Sequence, residues 1–190
     1  MRRLMRARRG ALAPAVRHRA DARICAHLAH SYWLRPSRTI ALYVSMGDEA
    51  GTAGLRALCQ ERGCAVYLPR ITDFGARRMR FCLDSLRKLP VNRMGIAEPA
   101  PRESVPAHWL SLILLPILGF DSRGTRLGYG GGFYDRDLAF RLTQPAPPLL
   151  IGVAYACQEL AHIARAAHDV ALDGIVTENG IRGFGRRGVI

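Results

Sequence analysis

Thirteen residues in the second half of the chain combine flexible backbone, positive charge and a carboxylate. The segment Gly124-Thr-Arg-Leu-Gly-Tyr-Gly-Gly-Gly-Phe-Tyr-Asp-Arg136 contains five glycines. Because glycine has no Cβ, successive backbone N–H groups can turn toward a phosphate, and the main chain can approach it closely. Arg126 and Arg136 can add forked positive charge, and Asp135 is a hard oxygen ligand suited to holding Mg²⁺ against a nucleotide's phosphates. The segment therefore predicts an anion site.

Two common phosphate motifs do not account for this segment. A Walker-type loop requires Gly-Lys-Ser/Thr, whereas the only lysine of the chain, Lys88, has no glycines around it. A dinucleotide fingerprint fails as well, because Phe133 stands where a third small residue would have to follow Gly128 and Gly130. The structural alternative is a turn that uses its glycines only for backbone geometry.

Two acidic segments are further candidates. Ser45-Met-Gly-Asp-Glu49 directly follows the apolar run Thr39-Ile-Ala-Leu-Tyr-Val44, and its acids either belong to a site or complement the N-terminus of a following helix. Asp169, in Ala167-His-Asp-Val-Ala-Leu-Asp173, precedes a short apolar run, and its alternative is a surface turn. The residues alone leave both pairs of interpretations open.

The chain is strongly basic. A net charge of +13 over 190 residues indicates attraction to polyanions: nucleic acid, an anionic membrane surface or a small polyanionic substrate. Arginine is scattered along the whole sequence and lysine is nearly absent, so genome-wide codon bias is the simpler explanation of the excess.

Composition predicts a single folded domain over residues 1–190, because 49% hydrophobic residues can supply a sizeable core. Five cysteines without a Cys-x-x-Cys pair and six histidines without ligand spacing indicate neither a disulfide framework nor a zinc site. The longest apolar run, residues 110–120, is too short to span a bilayer. No secretory apolar region follows the seven arginines of residues 1–19, and we expect a soluble cytoplasmic protein.

The order of apolar segments predicts an α/β fold of three layers, with a mostly parallel sheet flanked by helices and an Arg-rich N-terminal helix. Predicted helices are 12–28, 50–62, 133–142 and 158–165; predicted strands are 39–44, 64–68, 79–83, 110–115, 149–154 and 174–177, with a loop over 90–102. Gly63 would end the second helix, Pro69 would stop the second strand, and strand 79–83 would lie at the sheet edge. Ligands bind beyond the carboxyl ends of parallel strands, and the glycine segment follows strand 110–115 in that position.

A resemblance adds to this interpretation. Pro116-Ile-Leu-Gly-Phe-Asp-Ser-Arg-Gly-Thr-Arg-Leu-Gly-Tyr-Gly-Gly-Gly-Phe-Tyr-Asp-Arg136 resembles the hallmark segment of the 5-formyltetrahydrofolate cyclo-ligases, also called methenyltetrahydrofolate synthetases. Other segments resemble this family's motifs in the family's order: residues 2–12, 46–49, 68–70, 152–158 and 168–178. The likeness spans nearly the whole chain, whereas residues 71–108 carry almost none of it.

The resemblance implies conversion of 5-formyltetrahydrofolate and MgATP into 5,10-methenyltetrahydrofolate, ADP and phosphate. The formyl oxygen would attack the γ-phosphate to give an iminium phosphate, and N10 would attack the activated carbon as phosphate departs. No protein nucleophile is needed, so catalysis would consist of positioning and charge neutralisation. The implied partners are ATP, Mg²⁺ and the folate, with or without a polyglutamate chain. We expect a monomer that uses neither nucleic acid nor membrane.

The resemblance also assigns residues to the site. The residues that would bind ATP are Arg2, Arg3, Leu4, Met5, Arg6, Arg126, Leu127, Gly128, Tyr129, Gly130, Gly131, Gly132, Phe133 and Tyr134. The residues that would contact the folate are Val44, Glu49, Tyr129, Gly130, Gly131, Gly132 and Phe133. Asp135 and Asp169 would coordinate Mg²⁺. Glu49 and Arg126 would position the substrates and stabilise charge, and Arg136 and Tyr155 would be additional contributors.

The chain departs from the family's pattern at three positions. Arg2 stands in place of a usual lysine, which keeps the charge and changes its geometry. Phe133 replaces a common tyrosine and lacks its hydroxyl, and Gly131 stands where some members have lysine. The acids and the arginines of the site are retained.

Two other functions remain as alternatives. A basic nucleic-acid-binding protein would show binding that weakens steeply with salt. A sugar-phosphate isomerase or acyl-transferase on a similar α/β sheet would show no ATP requirement.

Overall fold

The computed structural model describes residues 1–85, 88–101, 103–144 and 147–185. Within these residues the helices are α1 (Arg2–Gly10), α2 (Pro14–Ala29), α3 (Ala53–Glu61) and α4 (Phe133–Asp137). The strands are β1 (Thr39–Ala41), β2 (Ala65–Asp73), β3 (Arg78–Leu83), β4 (Ser104–Val105), β5 (Leu112–Pro116), β6 (Gly119–Phe120), β7 (Arg126–Leu127), β8 (Leu149–Val153), β9 (Gly174–Thr177) and β10 (Gly180–Gly183). Short 3₁₀ turns cover Ala107–Trp109, Ala139–Leu142 and Ala156–Gln158.

Eight strands form one sheet in the order β10-β9-β8-β5-β1-β2-β3-β4. The five central strands from β9 to β2 pair in parallel, and antiparallel pairs extend the sheet at both ends. Strands β6 and β7 form a separate small hairpin. The predicted α/β fold with a mostly parallel sheet is confirmed.

The central strands are buried on both faces. Along β5, Leu112 and Leu114 face one hydrophobic cluster, and Ile113 and Leu115 face the other. The first cluster is closed by α2 and α3, and the second contains Leu138, which follows α4. The sequence of a strand that is covered on both faces is a continuous apolar run. This is why β1, β5, β8 and β9 could be predicted.

Strand β2 is longer than predicted. Pro69 does not stop it, and the strand continues to Asp73. The pairing of β1 with β2 ends where Ala41 lies opposite Tyr67, so the imino nitrogen of Pro69 falls where no strand lies within the described residues, and no ladder bond is lost. The prediction of 79–83 as an edge strand is also wrong, because β4 pairs along β3.

Two predicted helices differ from the structure. Instead of one helix over 133–142, α4 ends at Asp137, whose carboxylate accepts a hydrogen bond from Met79 N (2.6 Å). Instead of a helix over 158–165, a 3₁₀ turn ends at Gln158. The following backbone bonds elsewhere: Leu160 N donates to Phe120 O (2.8 Å) and Ile163 N donates to the Asp121 carboxylate (3.1 Å).

The remaining predictions agree in outline. Helices α2 and α3 occupy the predicted 12–28 and 50–62, and Gly63, with φ +70°, follows α3 as expected of a C-terminal cap. The predicted loop 90–102 contains no helix in its described part, and its last residue lies outside the described residues. Strands β4, β6, β7 and β10 were not predicted. No helix among the described residues is long and apolar enough to cross a membrane.

The Arg-rich helix α1 docks against the hairpin that leads into the glycine segment. Met5 is fully buried with Leu118, Leu127 and Ile163 in a third small cluster. Because Leu127 lies at the end of β7, this packing holds α1 beside the glycine segment.

Candidate active site

A cleft of about 690 Å³ opens beyond the carboxyl ends of β1 and β5. It brings together the three segments that the sequence analysis singled out. Predicted site residues that line it are Arg2, Arg6, Val44, Glu49, Arg126, Leu127, Gly128, Tyr129, Gly130, Gly131, Gly132, Phe133, Tyr134, Asp135 and Asp169. The volume lies within the range typical of small-molecule sites.

The glycine segment has the backbone that its composition predicts. Gly130 has φ +100° and Gly132 has φ +70°, conformations that side chains with a Cβ rarely adopt. Gly132 is the residue immediately before α4. These glycines line the cleft, and such a backbone can turn its amides toward an anion.

Arg126 is the central cation of the site. Its side chain is only 6% exposed, and its guanidinium donates to the Asp135 carboxylate and to Val170 O. Burial lowers the pKa of Arg126, and the charges of Asp135 and Asp169 oppose that shift. The arginine thus ties the start of α4 to the segment that carries Asp169.

Asp135 and Asp169 both line the cleft, and two carboxylates would suit Mg²⁺ only together with a nucleotide. Asp135 Oδ1 is bound to Arg126, and Asp169 Oδ2 accepts from Ala166 N (2.7 Å). Each carboxylate keeps one oxygen without a hydrogen bond to the described part of the chain. No group of three His, Cys, Asp or Glu residues that could hold a metal occurs among the described residues. Mg²⁺ characteristically takes one or two carboxylates and completes its shell with phosphate oxygens and water.

Helix α1 reaches the cleft with one face only. Arg2 Nε donates to Gly128 O (2.9 Å), and Arg6 lines the cleft. Arg3 and Leu4 are exposed and outside the cleft lining, and Met5 is a core residue. The five consecutive residues predicted for ATP therefore do not come together, because successive positions of a helix point in different directions.

Glu49 lies in the loop that follows β1, among tyrosines. Its Oε2 accepts from Met46 N (2.9 Å), and its carboxylate lies beside the Tyr129 hydroxyl. Burial raises the pKa of Tyr129, and Glu49 raises it further. Burial likewise raises the pKa of Tyr134, with Glu49 adding to the shift. The phenols beside Glu49 are therefore protonated donors at neutral pH.

The two residues predicted as additional contributors, Arg136 and Tyr155, do not line the cleft. Arg136 is exposed and does not line the cleft. Tyr155 is fully buried, and its hydroxyl donates to Asp21 Oδ1 (2.9 Å), which joins α2 to the sheet.

Several lining residues were missed because they come from the motif-poor region 71–108. The hairpin between β2 and β3 supplies Arg77, and the following loop supplies Glu98. The apolar part of this wall consists of Pro69, Ile71, Met79, Met94, Ile96 and Ala97. The only sequence signal was Leu-Pro-Arg at 68–70, which precedes the hairpin.

Comparisons with known proteins agree on one family. Residues 1–178 match the model of the 5-formyltetrahydrofolate cyclo-ligase family. The chain is 32% identical over 166 residues to the 5-formyltetrahydrofolate cyclo-ligase of Haemophilus influenzae, covering 84% of this chain and 86% of that protein. It is 31% identical over 180 residues to the enzyme of the same name from Escherichia coli, covering 92% and 96%.

A solved structure shares the fold. The NMR structure of Aquifex aeolicus 5,10-methenyltetrahydrofolate synthetase superposes with a TM-score of 0.83 at 27% identity, covering 100% of this chain and 93% of that one.

Proposed function

We propose a division of labour within the cleft, starting from the fact that this chain belongs to the 5-formyltetrahydrofolate cyclo-ligase family. It is an ATP-dependent ligase that forms 5,10-methenyltetrahydrofolate from 5-formyltetrahydrofolate. Because the chain belongs to this family, we prefer cyclo-ligase activity to the two alternatives, which were a nucleic-acid-binding protein and an isomerase-like or acyl-transferase-like protein. The roles of individual residues, the metal and the reaction intermediate are the content of the proposal.

One observation carries the division of labour: polar and apolar walls meet in a single cleft. Arg126 and Asp135 come from the glycine segment, whereas Ile71 comes from β2, and Met94 and Ile96 come from the loop that follows β3. A triphosphate needs backbone amides and cations, whereas a folate ring needs flat apolar surface. The two substrates would thus occupy opposite walls, with the formyl group facing the phosphates.

The ATP phosphates would lie along Gly128 to Gly132. Arg126 would neutralise charge that develops on the transferred phosphoryl group, with Arg2 and Arg6 adding positive charge from α1. Asp135 and Asp169 would hold Mg²⁺, which screens the phosphate charge when bound. The fixed Arg126 contacts support this assignment, because a preorganised cation needs little rearrangement during the reaction.

Glu49 and Val44 would face the folate, with Glu49 positioned near the reacting nitrogens. The formyl oxygen attacks the γ-phosphorus, forming a P–O bond as the bond to ADP breaks. N10 then adds to the activated carbon and gives up its proton, and hydrogen phosphate leaves with that proton and the former formyl oxygen as the ring closes. The chain supplies orientation and charge stabilisation, and no side chain becomes covalently modified.

The lining of the cleft also bears on which molecules the protein binds. Four arginines line it, which supports small polyanions as its ligands. A polyglutamylated folate, a monomeric state, a cytoplasmic location and the absence of nucleic-acid or membrane binding stay predictions.

The test is turnover by Asp135→Asn, followed by the near-ultraviolet absorbance of the methenyl product. We expect wild type to form product with ATP and Mg²⁺, and the variant to lose at least about a hundredfold in kcat. Asparagine has nearly the same size and can still accept a bond from Arg126, so the fold should persist.

Asp137→Asn is the matched control, since Asp137 lies in the same helix but does not line the cleft, and its carboxylate bonds Met79 N and Arg78. It should keep normal turnover. Normal kcat and unchanged Mg²⁺ dependence in Asp135→Asn would remove Asp135 from the mechanism.

A further inference from the structure

Glu98 is a buried carboxylate inside the cleft. Its residue is 8% exposed, and it lines the same wall as Ile71 and Ile96. Its Oε2 accepts two hydrogen bonds, from Ile71 N (3.1 Å) and from Asn92 Nδ2 (3.0 Å). Its Oε1 makes no hydrogen bond to the described residues.

The strand arrangement explains why Glu98 lies there. Beyond Tyr67, one edge of β2 has lost its neighbour β1, so Ile71 N points into the cleft without a ladder partner. Glu98 provides the acceptor for it. Asn92 fixes the loop from the other side, since its Oδ1 accepts from Met94 N (2.9 Å) and from Ile96 N (3.1 Å).

Two hydrogen bonds leave the carboxylate incompletely paired. Burying a charge is costly unless it is paired and hydrogen-bonded, and a carboxylate offers about four acceptor positions. The position beside Oε1 therefore favours a ligand that brings N–H donors. An anion such as phosphate or a glutamate tail would be repelled.

We propose that Glu98 recognises the pterin end of the folate by accepting hydrogen bonds from its ring N3–H and its 2-amino group. These two adjacent donors form a fork like that of a guanidinium, which matches a carboxylate. The apolar side chains of Met94 and Ile96 supply surface beside the ring. This inference rests on the proposed function, because it names the group that orients the same substrate.

The first experiment uses the wild-type protein and a substrate analogue. We compare kcat/KM for 5-formyltetrahydrofolate with that for its 2-desamino analogue, which lacks one of the two donors. Loss of a charge-assisted hydrogen bond in a buried site should lower kcat/KM about 10- to 100-fold. Equal values for the two compounds overturn the proposal, whatever any variant does.

The second experiment repeats the comparison with Glu98→Gln. The amide oxygen can still accept from Ile71 N, but the amide NH₂ now meets the ligand's amino group. We expect KM for 5-formyltetrahydrofolate to rise about 10- to 100-fold, KM for ATP to stay unchanged, and the preference over the 2-desamino analogue to disappear. An unchanged preference in this variant contradicts recognition by Glu98.

Asn92→Ala is the matched control. It removes the second anchor of the same loop and leaves the carboxylate in place, so it should keep the preference for the 2-amino compound even if KM rises. If it loses the preference as fully as Glu98→Gln does, Glu98 has only a structural role and the proposal fails. Failure of the proposed function looks different, since wild type would then form no methenyl product from either compound.

Discussion

At the scale of single residues, the hydroxyl of Tyr129 joins α1 to the part of the cleft that we propose for the folate. Arg9 is only 4% exposed; its guanidinium donates to Tyr129 Oη (2.6 Å) and to Asp48 Oδ1 (2.6 Å). The Glu49 carboxylate lies beside the same hydroxyl. Because Arg9 is fixed by burial and by Asp48, the aromatic ring and the carboxylate beside it are held before any substrate arrives.

Glu49→Gln tests the division of labour at this point. Glutamine keeps an acceptor for Met46 N and has nearly the same volume, so the fold should be preserved. The loss of negative charge near the folate should lower kcat/KM for 5-formyltetrahydrofolate about 10- to 100-fold. Steady-state kinetics with each substrate varied in turn measure this.

Nucleotide binding is the internal control for Glu49→Gln. The dissociation constant for a non-hydrolysable ATP analogue, measured by calorimetry, should match that of wild type. If affinity for the nucleotide falls as much as folate use does, the two substrates do not divide the cleft as proposed.

The site residues that were predicted share one property: they lie in or next to compact motifs. Asp135 lies in the first turn of the helix that follows the glycines, and Glu49 lies in the loop after the buried strand β1. Arg9 looked like one more surface arginine, because nothing local indicates that its helix docks by the face that carries it. Glu98 was missed for a similar reason, since it enters the cleft only through the pairing of distant β2 with its own loop.

At the scale of elements, the turn between β7 and α4 depends on glycine at one position in particular. Gly132 has φ +70°, and a Cβ added there would lie 3.3 Å from the Arg77 guanidinium. Gly128 also lines the cleft, but an added Cβ would meet nothing within 4 Å, and its φ is not in the left-handed region. An alanine is therefore expected to strain the backbone at position 132 and to be tolerated at position 128.

Gly132→Ala should destabilise the protein by about 1–2 kcal/mol, the cost of holding a residue with a Cβ in the left-handed conformation. It should also weaken ATP binding, because the following helix start is displaced. Urea unfolding and KM for ATP measure the two effects.

Gly128→Ala is the comparison, and its free energy of unfolding should lie within about 0.5 kcal/mol of wild type. Equal stability of the two variants would show that the conformation at Gly132 is not required by the fold.

Elements were predictable where local pattern and tertiary environment agree. The buried parallel strands are apolar throughout, and α2 repeats its apolar positions every three to four residues. The segment 158–165 has apolar residues at helical spacing. However, Ile163 N donates a hydrogen bond to the Asp121 carboxylate, which replaces the bond that a helix would need. Pro69 was misread because its effect depends on whether a neighbouring strand is present, which the local sequence does not indicate.

At the scale of the whole molecule, the parallel centre of the sheet explains why distant segments converge. Strands β1 and β5 are neighbours, so Glu49 and the glycine segment emerge at the same edge although they are far apart in sequence. The chain carries a net charge of +13, and four arginines line the cleft for which we propose anionic substrates. This arrangement favours their capture and opposes compaction by mutual repulsion of the positive charges.

Buried phenols and thiols make the folded chain sensitive to alkali. Burial raises the pKa of Tyr43, Tyr134 and Tyr155 above the ordinary value, and it raises the pKa of Cys59 from 9.0 to about 12. Each raised pKa means that the folded state keeps a proton that the unfolded chain releases first. The stability from these groups is fully present below their unfolded pKa values and is lost as pH rises toward the folded values.

We therefore expect the free energy of unfolding to fall steadily from about pH 9 upward, by about 1.4 kcal/mol per pH unit for each group in its titration window. Urea unfolding in the presence of reductant, repeated between neutral pH and about pH 11, measures the slope. Cys59→Ala is the control. Removal of the thiol should reduce the slope of the unfolding free energy against pH by about 1.4 kcal/mol per pH unit, the contribution of one proton, between about pH 9 and pH 11. This holds whatever the substitution does to stability at neutral pH. A free energy of unfolding that stays constant over this range would contradict the prediction, because it would mean that these side chains release their protons equally readily in the folded and unfolded chains.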